Sequence, residues 1–172
     1  MQKGVKSMTC SMFGHHDAPS SIAAGLNAML EYLIEEEHIE KILVGNQGSF
    51  DRIAFRVLTE AVIPKFWWVD YRVVLAYLPS VRPLDPIYHP AETIYPEDLE
   101  KVPPRFAISR RNRWMVDQSD VVLVYCRYST GGTASIAEYA EKKGKRLFYL
   151  NNFLDFCEEI YREITPSPDA VS

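Results

Sequence analysis

The stretch Asp120-Val-Val-Leu-Val-Tyr-Cys126, followed after two residues by Ser129-Thr130-Gly131-Gly132-Thr133, decides the fold of this chain. Its first part is a short, almost continuous apolar run, which predicts a buried strand. Helical spacing of apolar residues then runs from Thr133 to Lys143, and Gly144 ends the helix. A buried strand that turns through two glycines into a helix is typical of α/β proteins with a parallel sheet.

The same unit recurs along the chain. Met8 to Phe13 predicts a first strand, and a helix opens after Pro19 and carries apolar residues on one face as far as Ile34. Lys41 to Val44 predicts a second strand, which leads through a polar turn into a helix that ends before Pro64. The remaining predicted elements are strands at Tyr71–Leu78 and Lys145–Leu150 and helices at Ala107–Ser119 and Phe153–Ile164.

Strands that alternate with helices at this spacing imply right-handed crossovers between parallel strands. We therefore predict an α/β fold of the Rossmann-like class, a three-layer sandwich in which helices cover both faces of a mainly parallel sheet of about five strands. One domain is predicted over residues 1–164, with a flexible tail at 165–172. Residues 79–105 hold seven prolines and are predicted to form an insertion without regular structure.

Composition excludes several classes of function. A formal charge of -4 gives no basic field for nucleic-acid backbones, so we expect no nucleic-acid partner. No stretch approaches the roughly 18 apolar residues of a membrane span, so we expect a cytoplasmic protein without a membrane partner. The three cysteines form no C-x-x-C pair, which argues against disulfides and zinc. We expect neither a metal ion nor a resident cofactor.

The turn after the strand at Asp120 is the first candidate binding site. Ser129, Thr130 and Thr133 supply hydroxyl groups, and Gly131 and Gly132 leave backbone N–H groups uncrowded at the start of a helix. Such a turn can cradle a phosphate, because free N–H groups and the positive end of the helix dipole both face it. The alternative is a plain turn in which Thr133 or Ser129 only caps the helix.

A second polar turn follows the second predicted strand. Gly45 and Gly48 flank this turn, and Asn46, Gln47 and Ser49 offer donors and acceptors suited to a base or sugar edge. Asp51 can accept a hydrogen bond from a ribose hydroxyl. We expect this turn to bind the other end of the same ligand. The alternative is ordinary turn and capping chemistry.

The loop after the first strand, Gly14-His15-His16-Asp17, lies at the same predicted edge of the sheet. Neighbouring histidines on a loop point in different directions and no distant third ligand is evident, so we do not predict a metal here. Gly14 and His15 are candidate ligand contacts, and a loop without a ligand role is the alternative.

Arg111 and Glu138 are the candidate catalytic residues. At 100° per residue, Arg111 shares a face with Ile108 and Met115, the face that should point inward. A buried guanidinium needs an anion, which is either a structural partner (Glu138 or Asp51) or a ligand phosphate. Glu138 stands close enough to the glycine turn for general acid or base chemistry, and it suits a solvated helix face equally well.

These residues carry a family resemblance. Arg111-Asn112-Arg113-Trp114-Met115, the strand after Ser119-Asp120, and Gly131-Gly132-Thr133 together resemble the SLOG superfamily, which joins DprA-type and LOG-type Rossmannoid proteins. Phe13-Gly14-His15 and Val44-Gly45-Asn46-Gln47-Gly48 are similar to its YpsA-like branch, mostly small bacterial proteins of unassigned function. The resemblance spans about Met8 to Leu150.

The resemblance implies a nucleotide pocket in a protein that senses or processes nucleotides, and it implies a homodimer as an open expectation. LOG-type members are phosphoribohydrolases that use an arginine before the strand and a glutamate in P-G-G-x-G-T-x-x-E. Arg111 matches the spacing of that arginine. The chain departs at Thr130, which replaces the proline, and at Ile136, which stands in the glutamate position with Glu138 two residues further on.

Three functions therefore remain open. The first is binding of a nucleotide or nucleotide-derived phosphate ligand at the carboxyl edge of the sheet. The second is N-glycosidic hydrolysis of a nucleoside monophosphate by Arg111 and Glu138. The third is a partner-interaction module that works through Trp67, Trp68 and the segment 79–105.

Overall fold

A sheet of six parallel strands, in the order β4-β3-β2-β1-β5-β6, forms the centre of the protein. The structure is a computed structural model that describes residues 6–164, and the predicted tail at 165–172 lies outside the described residues. The strands are β1 Met8–Gly14, β2 Ile39–Val44, β3 Asp70–Val74, β4 Thr93–Ile94, β5 Val121–Tyr125 and β6 Arg146–Tyr149.

The helices follow the strands as the sequence predicts. They are α1 Ala23–Glu36, α2 Ser49–Val57, α3 Ala107–Asp117, α4 Gly132–Lys142 and α5 Leu150–Ile164. Helix α2 continues through a π-helical turn, Leu58–Val62, into a last short turn, Ile63–Lys65. We expected this helix to end before Pro64, but it continues to Lys65. The wider π-turn ends at Val62, two residues before Pro64, which has no N–H to donate to a regular helix.

Helices cover both faces of the sheet, as predicted. Alternate residues of each strand point to opposite faces, so Leu123 packs with α1 and α2, whereas Val122 and Val124 pack with α3 and α4. All five residues of β5 are buried, which explains its continuous apolar sequence. Met115 and Ile136 complete the second core layer from α3 and α4.

The prediction of about five strands missed β4. This strand consists only of Thr93 and Ile94, which pair with Val73 and Val74 at the edge of the sheet. It lies inside residues 79–105, which we expected to lack regular structure because of their prolines. The two residues of β4 fall between Pro90 and Pro96, where both N–H groups remain available.

The strand order places a crevice where the chain reverses direction across the sheet. Strands β2, β3 and β4 follow one another outward on one side of β1, and β5 and β6 lie on its other side. Ligands of open α/β sheets bind beyond the carboxyl ends of the strands at such a switch point. Among residues 6–164, no helix is long and apolar enough to cross a membrane.

Candidate functional site

A cleft of about 370 Å³ opens at the switch point, between the carboxyl ends of β1 and β2 and the starts of α2 and α4. We call it the edge cleft. Its size is within the range of small-molecule sites, which runs from about 300 to 1,000 Å³. Its lining residues are Met12, Phe13, Gly14, His15, His16, Gly45, Gln47, Gly48, Asp51, Ile108, Arg111, Asn112, Met115, Gly132, Thr133 and Ile136.

Arg111 and Asp51 form a buried ion pair in the wall of this cleft. Their exposed fractions are 2% and 7%, and Arg111 Nη2 lies 3.9 Å from Asp51 Oδ2. Of the two structural partners that the sequence left open for Arg111, the structure selects Asp51. The helical-face argument that placed Arg111 inward is therefore confirmed by its burial.

Hydrogen bonds tie this pair to two parts of the backbone. Arg111 Nη1 donates to the carbonyl of Val74 at the end of β3, at 2.7 Å, and the N–H of Gln47 donates to Asp51 Oδ2, at 2.8 Å. Arg111 Nε is buried and has no hydrogen-bond partner within residues 6–164. The Nε–H of the guanidinium thus remains an unused donor beside a cleft of ligand size.

Burial shifts both members of the pair toward their neutral forms. It raises the pKa of the Asp51 carboxyl and lowers the pKa of the Arg111 guanidinium, and the attraction between the two charges opposes both shifts. Gly45 makes room for the pair, because a Cβ at this position would overlap Arg111 Nη1 and Asp51 Oδ2. Glycine at position 45 is therefore a packing requirement of the site.

Helices α2 and α4 both start at the cleft after a glycine, and they differ in whether their first N–H groups have hydrogen-bond partners. At α2, the N–H groups of Ser49 and Phe50 donate to the carbonyls of His16 and His15, so the β1 loop closes this end. At α4 no side chain caps the helix after Gly131. Within residues 6–164, the first N–H of α4 that meets a carbonyl is that of Ser135, which donates to Gly131. Of these two helix starts, that of α4 therefore leaves its first N–H groups available for hydrogen bonds.

His15 fixes the loop after β1 against the loop after β5. Its Nε2 accepts a hydrogen bond of 2.7 Å from the N–H of Arg127. The centre of its ring lies 4.8 Å from the centre of the Tyr128 ring, in an edge-to-face arrangement. Because Nε2 is an acceptor, the imidazole is neutral. Burial is the main cause that lowers the pKa of His15, and Arg127 and His16 act in the same direction against Asp17.

The structure brings together most, but not all, of the predicted ligand residues. Gly14, His15, Gly45, Gln47, Gly48, Asp51, Arg111, Gly132 and Thr133 line the edge cleft. Ser129, Thr130 and Gly131 are exposed on the turn that leads to the cleft. Gly131 adopts a φ of 100°, a conformation that favours glycine.

The position of Glu138 does not fit the catalytic role predicted for it. Its side chain is 64% exposed on the outer face of α4 and pairs with Lys142 at 2.6 Å, and this hydrogen bond lowers the pKa of the carboxyl. Within the described chain, the only carboxylate that lines the edge cleft is that of Asp51, which is already paired with Arg111.

A second cleft of about 380 Å³, which we call the segment cleft, lies beside the first under the residues of segment 79–105. It shares His16, Gln47 and Gly48 with the edge cleft, and Asn46 lines only this second cleft. Sequence reasoning missed Arg82, which lines it. No periodicity marks a residue of a proline-rich loop, so only its charge could have drawn attention to it.

Comparison with known proteins gives similarity at the level of fold. No protein-family model matches the chain, and no curated protein is detectably similar to it in sequence. Among solved structures, it resembles DNA processing protein A from Helicobacter pylori, described for its single-stranded DNA binding mode, with a TM-score of 0.58 and 19% identity over 83% of this chain. It also resembles DNA processing protein A (DprA) from Streptococcus pneumoniae, with a TM-score of 0.56 and 17% identity over 91% of this chain.

The chain spans 64% and 56% of the lengths of these two proteins. The similarity confirms the Rossmann-like fold. It also corrects one expectation, because the exclusion of nucleic acid as a partner was wrong for a chain of this fold: the Helicobacter pylori protein binds single-stranded DNA. Net charge misled because it sums the whole chain, whereas a phosphate backbone meets a single surface.

The packing around the buried pair predicts the effect of substituting Gly45. The Gly45→Ala variant should lose about 1–3 kcal/mol of unfolding free energy, because the added methyl group displaces Arg111 or Asp51. Gly132→Ala is the matched control, since a Cβ there meets no atom within 4 Å. Urea denaturation measures both, and equal stability of the two variants would contradict this account of the pair.

The neutral state of His15 predicts a dependence of stability on pH. Acid protonates the unfolded chain first, since its histidine has an ordinary pKa of about 6.5 and burial lowers the pKa in the folded protein. The stability contributed by His15 should be complete above about pH 6.5 and decline as the pH falls below it. The measurement is urea unfolding between about pH 8 and 5 for the wild type and His15→Gln, which cannot titrate. A difference between the two proteins that stays constant with pH would refute this role.

Proposed function

We propose that the protein binds a nucleotide or nucleotide-derived phosphate ligand in the edge cleft, as a sensor or processing protein. The observation that carries the proposal is the uncapped start of α4, which opens into the same cleft as the buried guanidinium of Arg111. Backbone N–H groups at a helix start favour a phosphate through hydrogen bonds and through the helix dipole. The unpartnered Nε of Arg111 can add a donor, while its charge stays balanced by Asp51.

The sugar and base would extend toward the loop after β2. Gln47 and Gly48 form the opposite rim of the edge cleft, and the side chain of Asn112 presents a buried Oδ1 without a partner among the described residues. Met12, Met115 and Ile136 supply an apolar floor suited to a ring. Asp51, by contrast, is engaged with Arg111 and Gln47, so we no longer assign it to a ribose hydroxyl.

Within the SLOG superfamily, we propose the YpsA-like branch as the place of this chain. The two motifs that suggest the branch, Phe13-Gly14-His15 and Val44-Gly45-Asn46-Gln47-Gly48, contribute neighbouring walls of the cleft. We do not propose the hydrolase, because Glu138 lies outside the cleft on the solvent face of α4.

Isothermal titration calorimetry tests the proposal with a panel of nucleoside 5′-monophosphates and the corresponding nucleosides. We expect at least one monophosphate to bind about tenfold or more tightly than its nucleoside, since a phosphate accepts charge-assisted hydrogen bonds. The proposal fails if no nucleotide binds at millimolar concentration, or if a nucleoside binds as tightly as its phosphate.

A variant of the turn isolates the phosphate contact. Thr130→Glu should weaken monophosphate binding by about tenfold or more, because its carboxylate repels the phosphate while favouring the start of α4. Thr130→Gln has nearly the same shape without the charge and should bind like the wild type. Equal loss in the two variants would show that shape, and not phosphate charge, governs binding at the turn.

A single strand of nucleic acid is the second candidate ligand. A groove of about 390 Å³ between α3 and α4 shares Asn112 and Gly132 with the edge cleft and is lined by Arg105 and Arg113. The guanidinium carbon of Arg105 lies 4.7 Å from the centre of the Phe106 ring, and that of Arg113 lies 5.4 Å from the centre of the Tyr139 ring. Within residues 6–164, neither arginine has a carboxylate within 4.0 Å. A groove lined by two arginines that have no acidic partner among the described residues suits a phosphate backbone, and the Helicobacter pylori protein of similar fold binds single-stranded DNA.

Fluorescence anisotropy with a labelled single-stranded oligonucleotide tests this candidate. The double variant Arg105→Gln and Arg113→Gln should bind about tenfold more weakly and with a shallower dependence on salt, because two phosphate contacts are lost. The control is Arg56→Gln with Arg72→Gln, two arginines that pair with Glu60 and Asp70 outside the groove. Equal binding by both double variants would remove the groove from the binding surface.

A further inference from the structure

We infer that the segment cleft is a second subsite and that the full ligand is a dinucleotide unit, two nucleotides joined through phosphate. This inference rests on the proposed function, because it takes the first nucleotide to occupy the edge cleft. The new element is the second cleft, which segment 79–105 builds over the loop after β2. Its chemistry is that of an anion site, with Arg82 as the residue that binds the second phosphate.

The two clefts meet at the turn formed by Gln47 and Gly48. Both residues line both clefts, so the turn forms the boundary between them. Gly48 has a φ of 95°, and a Cβ there would lie 2.7 Å from the Cα of His16. A larger residue would therefore be strained and would collide with the loop after β1. A ligand that leaves the edge cleft across Gly48 arrives directly in the segment cleft.

Arg82 provides a cation without an acidic partner. Its Nη1 donates to Gln47 Oε1 at 3.2 Å, and its guanidinium carbon lies 5.2 Å from the centre of the Tyr77 ring. Within the part of the chain that the structure describes, no carboxylate lies within 4.0 Å of this guanidinium. Both contacts are to neutral groups, so they orient the charge and leave it uncompensated.

The other charges of the segment cleft are already balanced. Arg52 Nη2 pairs with Asp85 Oδ2 at 2.8 Å, which also holds the segment onto α2. With this pair neutral, the charge of Arg82 makes the cleft net positive. A phosphate that reaches it would gain a charge-assisted hydrogen bond without displacing an existing ion pair.

The volumes and the lining agree with one nucleotide unit in each cleft. The two spaces measure about 370 and 380 Å³ and are equally suited in size to a small polar ligand. The segment cleft adds a buried hydroxyl donor at Tyr88, whose pKa is raised to about 12 by burial, and an amide at Asn46. These groups can bind a sugar or base edge, which makes a dinucleotide a better match than a ligand with two bare phosphates.

Calorimetry with two sizes of ligand tests the inference. The probes are the four deoxynucleoside 5′-monophosphates and the four homodinucleotides that carry a 5′-phosphate. In the wild type, at least one dinucleotide should bind about tenfold more tightly than its monophosphate, because a second phosphate is engaged. Arg82→Gln should abolish this gain and leave monophosphate affinity unchanged. Arg56→Gln, at an exposed arginine outside both clefts, should preserve the gain.

Monophosphate binding without a gain for any dinucleotide would overturn the inference and leave the proposed function standing. Failure of both ligand sizes to bind would overturn the two together. An equal loss of affinity for the monophosphate and the dinucleotide in Arg82→Gln would also overturn the inference, because Arg82 would then act on the first nucleotide. Oligonucleotides of two, four and eight nucleotides show whether the ligand is a free dinucleotide or part of a strand. An affinity that stops rising at two nucleotides indicates a free dinucleotide, and an affinity that continues to rise with length indicates a strand.

Discussion

The buried pair of Arg111 and Asp51 is the constraint on which the candidate site depends. Two opposite charges in an almost dry environment stay charged only if they remain together, because each would otherwise lose several kcal/mol of hydration without compensation. Their contacts reach α3, α2, the end of β3 and the N–H of Gln47. Removal of either charge would therefore disturb the walls of both clefts.

The pair also defines what the cleft can bind. Since Asp51 balances Arg111, the deep wall of the edge cleft contributes a hydrogen-bond donor more than a net charge. The attraction for an anion in the edge cleft must come from its rim, where the start of α4 is uncapped. Three glycines in two loops serve different purposes here. Gly45 accommodates the ion pair, Gly48 leaves room for the backbone of His16, and Gly131 turns the chain into α4.

Sequence patterns predicted the fold better than the side-chain partnerships of the site. Continuous apolar strands such as β5 and the spacing in α3 depend on local periodicity, which gave the layers and the inward direction of Arg111. Strand β4 escaped because two residues have no period, and it exists only because Val73 and Val74 offer an open edge. Long-range contacts were equally out of reach. Spacing along the chain does not show that Asp51 lies buried beside Arg111, and it does not show that Glu138 lies on the solvent face of α4.

A crystal structure of the protein with a bound nucleoside 5′-monophosphate would show directly whether phosphate binds at the start of α4. We expect phosphate oxygens within about 2.7–3.2 Å of the N–H groups of Gly132 or Thr133, with the sugar and base toward Gln47 and Gly48. A phosphate seated instead on Arg82 or between Arg105 and Arg113, with the turn at Gly131 empty, would contradict this expectation.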